Sequence, residues 1–387
     1  MKILAVVSAL DLNLTFGATS AWWQLLKGLC EVGVEVVATP YVGHAVESPW
    51  WRAYPNPCLR ESRAFLALKA ARSRLGGARP SAQPSWLAAA MARRWTLPRW
   101  QRHLTRVLEA ERDVDAVLVA NVPLNHFTGL PSLLRQRFSV PVFYLDGDMP
   151  MSLPAFGGYA SGVRGYDRAD LSEYEAVITN SRAAEPEVLR LGARRAHTLH
   201  FAADPDLFFP TGATQDVDVF FYAYGSEQRE TAIRHMVAQP SRELSARFVV
   251  GGARLAVDLG KADFVGPVPT SRLRHWAGRS RLNLNIVRQP HAAFSGSSCM
   301  RLFELAAMAC CIVSNPIAGI EEWLEPEREV VVAPEAEPAN ELYRGLLADP
   351  GRRRAMGETA RRRVIEEHTY RHRARTLLAY VGQSGHA

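Results

Sequence analysis

Short apolar, β-branched runs alternate with segments of helical periodicity, and they do so in two successive series. The first series is KILAVVSA (2–9), VEVVATPY (34–41), DAVLVAN (115–121), PVFYLDG (141–147) and EAVITNS (175–181). Each run is nearly continuous in apolar residues and is predicted to be buried on both faces, as strands of a parallel sheet are. A helix is predicted over 18–32, closed by Gly33. The second series is DVDVFFYA (216–223), ARFVVGG (246–252), DFVGPV (263–268), LNLNIV (282–287), CCIVSN (310–315) and EVVVAP (329–334). Helices fit between these runs at 227–238, 270–279, 299–309 and 339–348, and Arg-rich helical patterns follow at 351–367 and 370–381. Strands alternating with helices require right-handed crossovers, which makes the fold class α/β.

A chain of 387 residues suits two cores better than one. DPDLFFPTGATQ (204–215), rich in Pro, Gly and Thr, reads as the linker between them. Three parts are predicted: a Rossmann-like domain over 1–205 with an irregular insertion at 45–100, a second over 206–370, and a C-terminal helix in 371–387 crossing back to the first. The insertion carries SPWWRAYPNP (48–57), a helical run at 60–75 and GGARPSAQPS (76–85). Stretches this long between strands are usually functional or mobile.

Composition narrows the function. No run of about 18 apolar residues is present to span a bilayer. The apolar opening leads into Asp11 and Asn13 with no small-residue cleavage site, so it reads as a strand rather than a signal peptide and a cytoplasmic protein is expected. The five cysteines are odd in number, lack CxxC spacing and include an adjacent pair, which argues against a disulfide framework and a zinc site. The net charge is +7, and only four of the 46 basic residues are Lys. A basic surface suits phosphate-bearing ligands or an anionic membrane, and no nucleic-acid motif accompanies it.

The stretch 282–326 concentrates the chemistry. A strand leads into a loop with Arg288, His291 and the run Ser295-Gly296-Ser297-Ser298, and a helix is predicted to start near Cys299. Small and hydroxyl residues before a helix N-terminus make an anion site, because free N–H groups and the helix dipole point at it. Arg288 or Arg301 can add a charge-assisted contact to a diphosphate. Glu304, in the first turns of that helix, can accept hydrogen bonds from both hydroxyls of a ribose. The plainer alternative is that Ser297 caps the helix and Glu304 favours its dipole.

FVGPVPTSRLRHWAGRSRLNLNIVR and RLFELAAMACCIVSNPIAGIEEWLEPEREVVV resemble the donor half of GT-B glycosyltransferases, closest to the CgeB-like group related to glycosyltransferase family 4. GYDRADLSEYEAVITNSRAAEPEVLRLGARRAHTLHFAADPDLFFP (165–210) is similar to that group as well, so the likeness covers roughly 140–381. It implies two Rossmann-like domains with parallel sheets facing a central cleft. It also implies that Glu304 grips the donor ribose, that Arg301 in R-x-F-E serves the phosphates, and that the backbone of Gly266 to Val268 reads the nucleobase. Tyr224, Gly225 and Ser226 would border the donor, and Arg229 would reach its phosphates. The chain departs from the family at Ala309, where Gly is usual, and has Gly296 and Ser297 in place of the paired glutamate motif, so the family's stereochemistry does not carry over.

In the first half, LDLNLTFG (10–17) follows the first strand, at the edge where doubly wound sheets bind ligands. Gly17 would let backbone approach the donor. Asp11 and Asn13 would face an acceptor, Asp11 being either the catalytic base or a turn residue. There is no GxGxxG, so the dinucleotide fingerprint is absent. Asp146 and Asp148 form a D-x-D pair that elsewhere binds a divalent metal. In a two-Rossmann plan it is expected instead to bind acceptor or to shape the loop, with Asp148 able to act as a base. His44 and His126 also follow strands, and either is a possible base. Seven of the nine tryptophans fall in the first 100 residues, Trp50 and Trp51 among them. Their faces would suit a sugar or a flat acceptor, a weak membrane-surface contact, or simple packing.

The expected activity is transfer of a sugar from a nucleoside diphosphate sugar, a co-substrate rather than a cofactor, to a hydroxyl of a small molecule or glycan, without metal. A nucleotide-sugar epimerase and a non-catalytic nucleotide-sugar-binding protein are the alternatives.

Overall fold

The computed structural model describes residues 1–12, 20–61, 63, 92–156, 159–160 and 163–383. The chain forms two units, one of Met1–Leu199 with Arg373–Ala387 and one of His200–His372. Among the described residues no helix is long and apolar enough to cross a membrane.

The first unit is built on seven parallel strands: β1 (Lys2–Ala9), β2 (Glu35–Val42), β3 (Arg52–Ala53), β4 (Ala116–Ala120), β5 (Val142–Asp146), β6 (Ala176–Thr179) and β7 (Ala196–Thr198). Their order is β3-β2-β1-β4-β5-β6-β7. Val6 of β1 lies between Thr39 of β2 and Val119 of β4. The continuous apolar runs are what a strand hydrogen-bonded on both edges and covered on both faces requires: residues 3–9 of β1 and all of β4 and β5 are buried.

Three helices of this unit are α1 (Ser20–Glu31), α2 (Leu97–Glu111) and α3 (Leu130–Phe138). Two elements in and beside the predicted irregular insertion are regular. β3 is a two-residue edge strand in the middle of SPWWRAYPNP, and α2 begins inside the stretch read as irregular. Helix α2 buries Trp100, Leu104, Val107 and Leu108, spaced at i, i+4, i+7 and i+8. The arginines between them mask that stripe in the sequence. Of the helical run predicted at 60–75, nearly all lies outside the described residues.

The second unit has six parallel strands: β8 (Val217–Tyr224), β9 (Phe248–Ala253), β10 (Asp263–Phe264), β11 (Ser280–Asn285), β12 (Ile312–Ser314) and β13 (Val331–Val332). They are ordered β10-β9-β8-β11-β12-β13. Between β8 and β9 runs α4 (230–243), which contains a π-helical turn at Arg234–Ala238. It is followed by α5 (Thr270–Gly278), α6 (Gln289–Ala293), α7 (Met300–Ala307), α8 (Asn340–Ala348) and α9 (Pro350–Glu367).

The side chains of β8 alternate. Phe220 joins Leu302, Phe303 and Trp323 in one core cluster, while Phe221 joins Val250, Leu284 and Tyr343 in another. Each of these buried side chains stabilises the unit by about 1.5–3 kcal/mol relative to exposure. Polar residues set the end of β11. Asn285 donates to the Ser314 hydroxyl at 3.0 Å, and the Val287 N–H donates to Asn315 at 2.9 Å.

Candidate active site

In the second sheet the winding reverses between β8 and β11, its first and fourth strands, which are hydrogen-bonded neighbours. In sheets of this order, ligands bind just beyond the carboxyl ends of such a pair. The chain turns there on glycine. Gly225, with φ +84°, follows β8 and donates its N–H to the Ala253 carbonyl at 2.8 Å. A Cβ on Gly252 would stand 1.9 Å from the Ala223 carbonyl oxygen, so no side chain fits at that strand end. The Gly252 N–H donates to Gly266 at 2.7 Å, which holds the Gly266–Val268 loop against the same edge. Tyr224 is 45% exposed at the end of β8, with the Arg254 guanidinium 5.7 Å from its ring centroid. Ser226 is buried, and its carbonyl accepts from Arg229.

Two guanidinium groups meet on one carbonyl oxygen. Arg229 donates through Nε to Ile286 O at 3.2 Å and through Nη1 to Gly225 O at 2.9 Å. Arg301, in the first turn of α7, donates through Nη1 to the same Ile286 O at 3.2 Å. Neither forms an ion pair with a carboxylate among the described residues. Arg288 is close behind, because the Gln289 N–H bonds to Gln228 O at 2.8 Å and draws its loop to that of Arg229. Burial first, then the charges of Arg301 and Arg288, push the Arg229 pKa down to about 9, still protonated at neutral pH. Glu227 offsets only part of this, and an anion bound between the two guanidiniums would relieve the rest.

Arg301 also lies over the ring of Tyr222, 4.6 Å from its centroid, and the Tyr222 hydroxyl donates to Glu304 Oε2 at 3.2 Å. Arg301 and Glu304 stand three apart on α7 and so share one face. Glu304 is 1% exposed, and burial, then its carboxylate, raises the Tyr222 phenol well above its usual pKa. No side chain caps α7. Cys299 occupies the cap position and turns its thiol to Asn285 Oδ1 at 3.1 Å.

Ser297 does not cap α7, and neither it nor Ser298 is exposed in the loop. Both are buried, and the Ser298 hydroxyl accepts from the Phe201 N–H at 2.9 Å, a bond that fixes the loop within this unit. Ala309 has φ +55°, a left-handed position just past the end of α7, which explains why Gly is usual there.

The corresponding edge of the first unit carries different groups. Asn13 and Gly17 lie outside the described residues, and Asp11 is half-buried two residues beyond β1. His126, six residues beyond β4, is half-buried and hydrogen-bonds through Nδ1 to the hydroxyl of Tyr41 on β2. Burial holds its pKa down to about 4, so the imidazole is neutral at working pH.

Asp146 does not face an acceptor. Its Oδ1 accepts from the Asp148 N–H and the Ser152 hydroxyl, and its Oδ2 from the Tyr166 hydroxyl, each at 2.9 Å. It is a buried hub whose pKa burial raises to about 6. Asp148 is half-buried on the turn that this hub pins. Trp51 is likewise enclosed. Its Nε1 donates to Val46 O at 2.9 Å, and its ring meets Trp23 of α1 edge-on at 4.8 Å. Trp50 stays half-buried, with Lys27 5.6 Å from its ring. Both tryptophans thus pack against Trp23 of α1.

Sequence reasoning passed over Tyr41, Tyr222 and His103. His103 pairs with Thr39 at 3.1 Å and meets Trp100 edge-on. Tyr41 and Tyr222 each lie at or near a strand's carboxyl end, and that placement was the available signal.

Two Rossmann-like parallel sheets, of seven and six strands, are the layout of the GT-B fold. Residues 229–379 match the glycosyl transferase-like family, and the protein is a glycosyltransferase of that GT-B kind. It is 24% identical over 398 residues to alpha-maltose-1-phosphate synthase of Mycolicibacterium smegmatis, covering 91% of each chain. Its fold is similar to that of sucrose-phosphate synthase from Thermosynechococcus elongatus, with TM-score 0.64, 14% identity and coverage of 99% of this chain and 98% of that one. It is also similar to Anabaena HepE in complex with UDP and glucose, with TM-score 0.60, 10% identity and coverage of 99% and 100%.

Proposed function

We propose that the second unit binds a nucleoside diphosphate sugar, with UDP-sugars first among the candidates, and that the protein transfers its sugar to a hydroxyl of a small-molecule or glycan acceptor. The observation that carries this reading is the convergence of Arg229 and Arg301 on Ile286 O without a carboxylate partner, three residues from the ribose candidate Glu304. A diphosphate placed there accepts charge-assisted hydrogen bonds from both, with Arg288 in support. As the sugar–phosphate bond breaks, the charge growing on the leaving diphosphate is met by cations already in place, an electrostatic contribution that costs no reorganisation. The reaction is therefore proposed to run without metal. The complex of the similar HepE with UDP and glucose supports the choice of nucleotide.

On the acceptor side, His126 is the proposed base, with Asp11 and Asp148 as the other candidates. The neutral imidazole can take a proton, and the Tyr41 hydroxyl on Nδ1 fixes its orientation. The test is a thermal-shift screen with UDP, GDP, dTDP and CDP sugars, then release of nucleoside diphosphate with and without acceptor hydroxyls. A shift with one nucleotide, acceptor-dependent release and unchanged rates in EDTA are expected. No stabilisation by any nucleotide would refute the donor site. Release of nucleotide or a changed sugar without acceptor would point instead to hydrolysis or epimerisation.

A further inference from the structure

We infer that Tyr222 is a positioning residue that sets the ribose-binding carboxylate and the phosphate-binding guanidinium relative to each other, so that affinity for the pentose hydroxyls depends on the Tyr222 hydroxyl. This rests on the donor site proposed above and assigns a role to a residue that touches neither ligand group.

Tyr222 stands on β8 in a rigid column. The rings of Trp276, Phe220 and Tyr222 are stacked in turn, with centroids 6.0 Å apart and planes within 16° at each step. Phe220 and Tyr222 are two residues apart on one strand and must share a face. The column ends in two polar contacts made by one side chain. The ring carries the Arg301 guanidinium at 4.6 Å, and the hydroxyl donates to Glu304 at 3.2 Å.

Arg301 is a long side chain whose hydrogen bond goes to the carbonyl it shares with Arg229. The aromatic face restricts the plane of that guanidinium, and cation–π attraction keeps it there. A carboxylate has about four lone-pair sites, and the bond from Tyr222 takes one of them and helps set its orientation. A ring stacked on Phe220 has little freedom to lose when the nucleotide binds, and such preorganisation raises affinity without a new ligand contact.

The experiment is calorimetric binding of UDP and 2′,3′-dideoxy-UDP to the full-length wild type and to Tyr222→Phe, which keeps the ring and removes the hydroxyl. The wild type should prefer UDP by about tenfold or more, the scale of hydrogen bonds to a charged group. Tyr222→Phe should lose most of that preference, with UDP weakened about five- to tenfold and the dideoxy nucleotide changed less than about twofold. Tyr222→Met, which removes ring and hydroxyl, should in addition weaken inorganic pyrophosphate by a few-fold, because Arg301 loses its platform. It also serves as the second variant should the Phe protein fail to fold.

Undiminished discrimination in either folded variant overturns the inference while leaving the donor site intact. Equal weakening of both nucleotides by Tyr222→Phe overturns it too, because that is the mark of a general packing defect. Binding of neither nucleotide by the wild type refutes the donor site itself.

Discussion

In the first sheet the strands beside the winding reversal are β1 and β4, and in the second they are β8 and β11. The edges they present differ in kind. Beyond β8 and β11 stand Arg229 and Arg301 on one carbonyl, with Arg288 close by. Beyond β4, and at the end of β2 on the other side of β1, stand a neutral imidazole and a phenol, while the carboxylate at the end of β5 is buried under three donors. The winding order that places a ligand at a sheet edge is common to both units, and the residues after the strands select the ligand. Cations that form no ion pair among the described residues suit a diphosphate. Neutral groups capable of both donating and accepting suit a hydroxyl-bearing molecule.

Removing the cations should have the largest effect. The double substitution Arg229→Ala, Arg301→Ala should weaken nucleotide binding by about three orders of magnitude, since each charge-assisted bond contributes about 1.5–3 kcal/mol. His126→Gln should leave that binding within about twofold and lower turnover by about 10²–10⁴-fold, the range of general base catalysis. Titration calorimetry with UDP, set beside initial rates, checks both. Loss of nucleotide affinity in the His126 protein would erase the proposed division of labour.

Next in size is an acid sensitivity of the first unit. His103 and His126 both have pKa values near 4 in the fold, depressed mainly by burial. An unfolded histidine titrates near 6.5, so as pH falls from 6.5 to 4 the unfolded chain takes up protons that the native state refuses. Each histidine then costs about 3 kcal/mol of stability by pH 4. Asp146 acts in the opposite sense. Its folded pKa of about 6 lies above the unfolded value, so it contributes roughly 3 kcal/mol as pH falls through the same window and offsets one histidine. Denaturation followed by tryptophan fluorescence, which reports chiefly the first unit because seven of the nine tryptophans are there, should show a net loss of about 3 kcal/mol. His103→Gln should nearly abolish the loss, and Asp146→Asn should roughly double it. A flat profile for the wild type would mean that these groups are open to water.

The smallest effect tests the end of α7. Ala309 holds a left-handed conformation that costs an L-residue roughly 1–2 kcal/mol, part of which Gly gives back through the greater freedom it brings to the unfolded chain. Ala309→Gly should therefore raise the unfolding free energy by up to about 1 kcal/mol without changing nucleotide affinity, as read by denaturant midpoints. A fall in stability would show that the Ala309 methyl makes contacts worth more than the strain.

The sequence analysis located nearly every strand because a strand covered on both faces must be largely apolar, as 3–9, 116–120 and 141–145 are. It singled out Arg301 and Glu304 from the anion-site reading of 282–326 and from the likeness of R-x-F-E to the glycosyltransferase donor half, and the fold puts them three apart on one face of α7. It missed β3, whose two residues form an edge and bury little, and it left the start of α2 in the irregular stretch because arginines interrupt the apolar stripe. It read Ser297 and Ser298 as part of an anion-binding loop and left the tryptophans between ligand contact, membrane contact and packing, whereas the fold buries both serines and Trp51.

Periodicity and local spacing are properties of neighbouring residues, so the sequence by itself determined the α/β class, the two series of strands and the helix carrying Arg301 and Glu304. Which distant groups share an atom depends on strand order and loop path. Only the tertiary structure could bring Arg229 and Arg301 to one carbonyl, set Tyr41 against His126, and bury Asp146 rather than expose it, because each outcome is decided by burial and by partners far away along the chain.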